Sequence, residues 1–257
     1  MSIFDEIKCF YDSYKGQKRV IGQSVKGKPI YAFAVKKTKR PTVLVQCAIH
    51  AREFVTAKLC LLLAKDFYSR GKKGTVWFLP MLNPDGVEMV INGDQLYKAN
   101  ANGVDLNVNF PAKWGKGKSN VFIKGAENFV GESPLSEPET RSLCDFTLEI
   151  LPDMSISYHS KGEEIYWEFF QNDKTLNRDK RLAEVASKLT GYPLVSVKGS
   201  CGGYKDWCIE HLKIPALTIE VGSDSLSHPI NTSFAEEIFI KNRDLLIGLI
   251  EELDKND

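Results

Sequence analysis

The chain has 257 residues, 43% of them hydrophobic, and carries 34 basic against 33 acidic side chains, for a formal net charge of +1. That is enough apolar material for a full core, so a single α/β domain over residues 1–257 is expected. A balance so near zero excludes a strong field toward nucleic acid or a membrane surface, and the basic runs Lys36 to Arg40 and Lys113 to Lys118, set beside Pro or Gly, read as solvated turns.

In chain order, Ile3 to Tyr14 has helical periodicity, and the charged amphipathic start Met1 to Lys8 lacks the apolar stretch of a secretory signal, which predicts a cytoplasmic protein. Arg19 to Val25 and Pro29 to Val35 alternate around Lys26-Gly27-Lys28 and predict a β-hairpin. Thr42 to Cys47 is a continuous apolar run, as expected of a strand covered on both faces, and Phe54 to Tyr68 predicts a helix ended by Gly71. The longest apolar run there, Leu59 to Ala64, lies between Lys58 and Lys65 and is far too short to span a bilayer.

Thr75 to Leu79 predicts a second buried strand, stopped by Pro80 and a turn at Asn83-Pro84-Asp85-Gly86. Residues from Gly93 to Gly131 are rich in Gly, Asn and Lys and predict a long irregular segment of the kind that carries function. Ser136-Glu-Pro-Glu139 has the spacing of a capping box before a helix reaching Glu149. Beyond it, strands are expected at Met154 to Tyr158, Glu164 to Phe169 and Ala216 to Val221, and helices at Thr175 to Leu189, Tyr204 to Leu212 and Phe234 to Leu253. The six cysteines show no framework spacing, so free and mostly buried thiols are expected; Cys201 with Cys208 is the one pairing worth considering.

Alternation of strands and helices predicts a doubly wound sheet, mixed because of its opening hairpin, with ligands bound beyond the carboxyl ends of the strands. His50 and Glu53 directly follow one predicted strand, His159 ends another, and Glu220 sits near the end of a third. A hydrolytic zinc ion wants three protein ligands and an open position, and two His with one Glu is a known set. A His three residues before a Glu is weak evidence alone, since a surface His beside a helix start has the same spacing. For the third ligand His159 is favoured because it ends a buried strand; His211, beside Glu210, and His228, before Pro229, read as surface residues. Glu220, in the apolar run Ala216-Leu-Thr-Ile-Glu-Val, needs a reason to be there, because an unpaired buried carboxylate is costly.

With these residues in view, the sequence resembles the zinc metallocarboxypeptidase family over most of its length. The resemblance rests on His50-Ala-Arg-Glu53, Asn83-Pro-Asp-Gly86, Gly103-Val-Asp-Leu-Asn107, Ser136-Glu-Pro-Glu139, Tyr158-His159-Ser160, Gly202-Gly203 before Asp206-Trp207, and Thr218-Ile219-Glu220, in that order. Within the family, Tyr158 to Trp167 and Gly202 to Trp207 look most like bacterial γ-D-glutamyl-diaminopimelate peptidases and cytoplasmic murein-peptide amidases. The resemblance implies a three-layer α/β/α sandwich around a mixed sheet of about eight strands and one zinc ion on His50, Glu53 and His159. It also implies Glu220 as general base, Asp105 orienting a zinc-bound His, Lys98 where an Arg polarises the scissile carbonyl, and Arg52, Asn107, Tyr204 and Lys205 near substrate. A cation at Lys205 would favour a carboxylate-bearing side chain, which suits a cell-wall peptide carrying diaminopimelate.

Two departures bear on substrate. Val108 stands where the family usually has the Arg that grips a terminal carboxylate, and the tyrosine that closes over substrate in digestive members is replaced near Lys198. The expected activity is hydrolysis of the amide between γ-D-glutamate and a diamino acid. Its rivals are a carboxypeptidase on ordinary peptides, an N-acyl amino-acid deacylase with the same ligand spacing, and a peptide-binding protein that has lost turnover.

Overall fold

The computed structural model describes residues 1–196 and 198–255. Its centre is an eight-stranded mixed sheet with strands β1 (Lys18–Gln23), β2 (Pro29–Lys36), β3 (Thr42–Cys47), β4 (Thr75–Leu79), β5 (Met154–His159), β6 (Glu164–Tyr166), β7 (Leu194–Val195) and β8 (Ala216–Glu220). Across the sheet they run β1-β2-β4-β3-β5-β8-β6-β7. The hairpin β1–β2 joins β4 antiparallel, β4, β3, β5 and β8 run parallel, and β6 turns antiparallel again against β8.

Each strand feeds two cores, because successive side chains leave a pleated strand on opposite faces. Val43, Val45, Val76 and Phe78 belong to one cluster, and Leu44, Trp77 and Leu79 to the other. The first cluster is closed by helices α1 (Ile3–Ser13), α2 (Val55–Arg70), α5 (Asp173–Thr190), α7 (Ala235–Asn242) and α8 (Leu245–Asp254), the second by α4 (Pro138–Ile150) and α6 (Tyr204–Trp207). This is the three-layer sandwich expected. Truncating a side chain such as Phe33 or Phe78, both fully buried and stacked at 5.6 Å, would cost about 3–5 kcal/mol.

Several local expectations are corrected. Asn83-Pro84-Asp85-Gly86 starts helix α3 (Pro84–Ile91) instead of making a turn: the Asn83 side chain caps Gly86 N, and Pro84 sits where no donor is needed. Glu137, not Ser136, is the N-cap of α4, and its side chain makes no capping bond. Ser136 Oγ donates to Glu137 Oε1 and accepts from Asn109 Nδ2. The segment after β5 is strand only to Tyr166, the stretch after Trp207 continues as a π-turn at Cys208–Leu212, and the C-terminal helix is two helices. All six cysteines are free, five of them buried, so no Cys201–Cys208 bridge exists. No helix among the described residues is long and apolar enough to cross a membrane.

Candidate metal centre and substrate cleft

The parallel strands β3, β5 and β8 carry the chemistry to one edge. After Cys47 the chain turns at Ala48, whose φ of +49° is in the left-handed region. Bonds from Leu82 N to Cys47 O (3.1 Å) and from Asn83 N to Ala48 O (3.1 Å) hold that turn. His50 then caps a short 3-10 turn, Ala51–Glu53, that places Glu53 beside it. Asn83 Nδ2 binds both Ile49 O (3.2 Å) and Ala99 O (3.0 Å), so the residues read as a turn motif tie the ligand loop to the loop bearing Lys98.

His159 ends β5, directly opposite Glu220 in the register with β8. The three expected ligands meet. His50 Nδ1 lies 2.9 Å from Glu53 Oε1, His159 Nδ1 lies 3.0 Å from Glu53 Oε2, and the two Nδ1 atoms are 3.2 Å apart. A tetrahedral ion with bonds of ~2.05 Å separates its ligands by about 3.3 Å, so these spacings fit zinc, whose site is otherwise held together by protons. Asp105 Oδ1 stands 3.1 Å from His50 Nε2, which assigns the proton to Nε2 and leaves Nδ1 facing the cluster. His159 Nε2 has no such partner.

The electrostatics agree with a cation site. Burial opposes charge on His50, but the Glu53 and Asp105 carboxylates outweigh it and lift its pKa to about 9. Burial likewise opposes charge on Glu53 and Asp105; the two imidazoles beside Glu53, and Lys98 with His50 beside Asp105, hold both carboxyls well below the usual range. Burial, then the charge of Glu53, pushes Glu220 up.

Two clefts adjoin the cluster and share Asn107 and Ser200. One, about 220 Å³, is lined by Glu220, Lys205, Asp206, Glu168, Asn107 and Tyr166 among others. The other, about 320 Å³, is lined by His50, Lys98, Asn107, Val108, Lys118 and Lys198 among others. A larger cavity, about 650 Å³, lies between α1, β2 and α2, is rimmed by lysines and offers no His, Cys, Asp or Glu, so its size says nothing about the chemistry.

The remaining expected residues divide. Lys98 reaches Asp105 Oδ2 at 2.7 Å and Asn128 Oδ1 at 2.8 Å, at the wall of the second cleft. Asn107 is at the junction of both clefts. Lys205 lines the first, but its ammonium is already paired with Asp206 Oδ1 (2.6 Å) and Glu168 O (2.9 Å). Arg52 lines neither, its guanidinium being held by Leu96 O and Glu127 Oε1, each at 3.2 Å.

Tyr204 is a correction: its side chain is fully buried, bonds Thr147 at 2.8 Å and packs with Phe110 and Trp207, because the first turn of α6 points it at the sheet. It cannot touch substrate; only its backbone N–H matters, donating to Asn107 Oδ1 at 3.2 Å. His211 is exposed, as expected, and donates to or accepts from nothing near the cluster, its Nε2 binding Pro111 O. His228 is half-buried, with an Nδ1 that has no partner. Lys118, read as part of a solvated turn, is a cleft residue that sequence alone did not single out.

The profile of the family described as zinc carboxypeptidase matches residues 7–238. A γ-D-glutamyl-L-diamino acid endopeptidase from Lysinibacillus sphaericus is 30% identical over 266 residues, covering 89% of this chain and 66% of its own, so this chain spans just under two thirds of that relative. The crystal structure of a murein-tripeptide amidase from Escherichia coli O157 superposes with a TM-score of 0.68 at 25% identity, covering 93% of this chain and 95% of its own. Bovine thrombin-activatable fibrinolysis inhibitor, in complex with tick carboxypeptidase inhibitor, superposes with a TM-score of 0.88 at 23% identity over 99% of this chain and 96% of its own, a likeness of fold. The chain belongs to the zinc carboxypeptidase family of metallopeptidases, whose cofactor is zinc, and its His50, Glu53 and His159 form a cluster able to hold that ion.

Proposed function

We propose that residues 1–257 form one catalytic domain that hydrolyses the amide between γ-D-glutamate and a diamino acid, meso-diaminopimelate, in cell-wall peptides. His50, Glu53 and His159 would hold the zinc ion. When bound, it supplies a Lewis acid and lowers the pKa of water toward about 7. Glu220 receives the proton of the attacking water and hands it to the leaving amine, and Lys98, steadied by Asp105 and Asn128, offers positive charge to the developing oxyanion.

The observation that carries the substrate is the mixed-sign cleft beside Glu220. Lys205 is paired there with Asp206, with Glu168 next to it, so the cleft does not offer a bare cation. The far end of diaminopimelate carries both an ammonium and a carboxylate, and such a zwitterion matches a wall that bears both signs. The names of two relatives, a γ-D-glutamyl-L-diamino acid endopeptidase and a murein-tripeptide amidase, support the same substrate class.

The test is zinc-loaded protein with L-Ala-γ-D-Glu-diaminopimelate. Release of the diamino acid, abolished by chelator and restored by zinc, is expected; no release would remove this substrate. The second reading, a carboxypeptidase on ordinary peptides, is supported by the name of a relative, human mast cell carboxypeptidase A, 28% identical over 188 residues, and opposed by Val108. Cleavage of an N-acyl dipeptide at a rate matching the murein peptide would select it.

A further inference from the structure

We infer that Lys118 and Lys198 together form the receptor for the carboxylate of the leaving residue, the group for which Val108 provides no guanidinium. The inference rests on the peptidase reading above and adds to it the residues that recognise a free carboxyl end. Both lysines line the 320 Å³ cleft that also contains His50, Lys98 and Val108. Asp105 is the one acidic residue of that lining, and it is engaged by His50 and Lys98. Among the described residues, neither Lys118 nor Lys198 has an acidic partner, so the cleft keeps two uncompensated ammonium groups.

The two loops that carry them are joined. Lys118 N donates to Gly199 O at 2.9 Å, and a Cβ placed on Gly199 would meet the Cγ, Cδ and Cε atoms of Lys118 at 2.9–3.0 Å. The stem of Lys118 thus passes over Gly199, where a side chain would crowd it. The same strand of loop is locked beside Val108: Gly202, at φ +89°, exchanges bonds with Phe110 N (2.9 Å) and Ala112 O (2.8 Å), and a Cβ on it would meet Val108 O at 2.8 Å. Val108 therefore stands next to the lysine loop, and the charge absent from position 108 is present on its neighbours.

Asn107 and Ser200 link this cleft to the one containing Glu220 and Lys205. A residue bound with its carboxylate at the lysines can send its side chain into the adjoining cleft. Two ammonium groups on flexible stems are point charges without the planar fork of arginine, so they select for negative charge and tolerate variation in its orientation.

The experiment is titration calorimetry of the zinc-loaded full chain with free lysine and free diaminopimelate, each compared with its α-carboxamide. The free acids should bind tighter by about tenfold or more, as expected for a charge-assisted contact. The double variant Lys118→Met with Lys198→Met should lose that difference, each single variant should lose part of it, and Lys198→Arg should keep it. Equal affinity of acid and amide for the unmodified chain, or a difference that survives in the double variant, overturns the inference. None of these readouts needs turnover: failure to cleave the γ-D-glutamyl bond would remove the murein substrate and leave the lysine receptor standing or falling on the titrations.

Discussion

Asp105 Oδ1 lies 3.1 Å from His50 Nε2 while its other oxygen pairs with Lys98 at 2.7 Å, so one buried carboxylate joins a histidine of the candidate metal cluster to the lysine proposed for the oxyanion. Asp105→Asn keeps the shape and removes the charge. Zinc affinity should fall about 10- to 100-fold, since the proton on Nε2 is less firmly held there. The metal-free protein should lose about 3 kcal/mol, because Lys98 would be left largely buried without its anion. Chelator competition and urea denaturation measure the two effects, and an unchanged zinc affinity would remove the orienting role.

One imidazole should give two opposite pH slopes. Burial works against charge on His50, yet Glu53 and Asp105 raise its pKa to about 9, above the unfolded value of about 6.5. A raised pKa gives stability that is complete below the unfolded value and is lost as pH rises through the folded one. Metal-free stability should accordingly decline between pH 6.5 and 9. Zinc requires the unprotonated Nδ1, so its affinity should rise over the same window, by up to tenfold per unit. His159 is shifted the opposite way, burial pushing its pKa below the ordinary value. Thermal melts with and without zinc across these pH values should diverge; parallel curves would contradict the account.

Glu220→Gln should leave zinc content intact and reduce turnover by about 10²- to 10⁴-fold. Glu220 faces His159 in the register but is not one of the three clustered ligands, so loss of metal is not expected. Metal analysis beside the peptide assay separates a base from a ligand: a variant that loses its zinc would reassign the residue.

Gly202→Ala tests the loop junction through stability. The position has φ +89° and no room for a Cβ, which would approach Val108 O to 2.8 Å. The substitution should cost about 1–3 kcal/mol in a denaturation midpoint, more than an ordinary surface change. A neutral effect would show that the loop carrying Lys198 is not fixed beside Val108.

Most of the scaffold was legible because its signals are local and single-valued. Thr42 to Cys47 is short and centred on Val43-Leu44-Val45, as a strand covered on both faces requires, and its limits are those observed. The cluster was legible because His50 and Glu53 share one turn and His159 ends a buried strand. Asn83-Pro84-Asp85-Gly86 misled because the residues that favour turns also cap helices, and only the chain that follows decides between them. Tyr204 misled because a motif position gives a backbone location but not the direction of a side chain. Lys118 was missed for a related reason: a basic run reports that its residues meet water, whereas the cleft is defined by Gly199 and Lys198, some eighty residues further along the chain.

Val108→Arg asks whether the missing guanidinium alone bars ordinary peptides. The new side chain would enter a cleft that already holds Lys98, Lys118 and Lys198, so part of its attraction for a carboxylate would be spent against like charges. In the otherwise unmodified chain the gain in kcat/KM on an N-acyl dipeptide should therefore be small, about threefold or less. With Lys118→Met and Lys198→Met in the same chain, the arginine should restore the bidentate contact and raise kcat/KM by about tenfold or more over the lysine-free parent. That non-additivity is the informative quantity, since groups serving one carboxylate cannot contribute independently. Additive effects of the three substitutions would mean that position 108 and the two lysines serve different parts of the substrate.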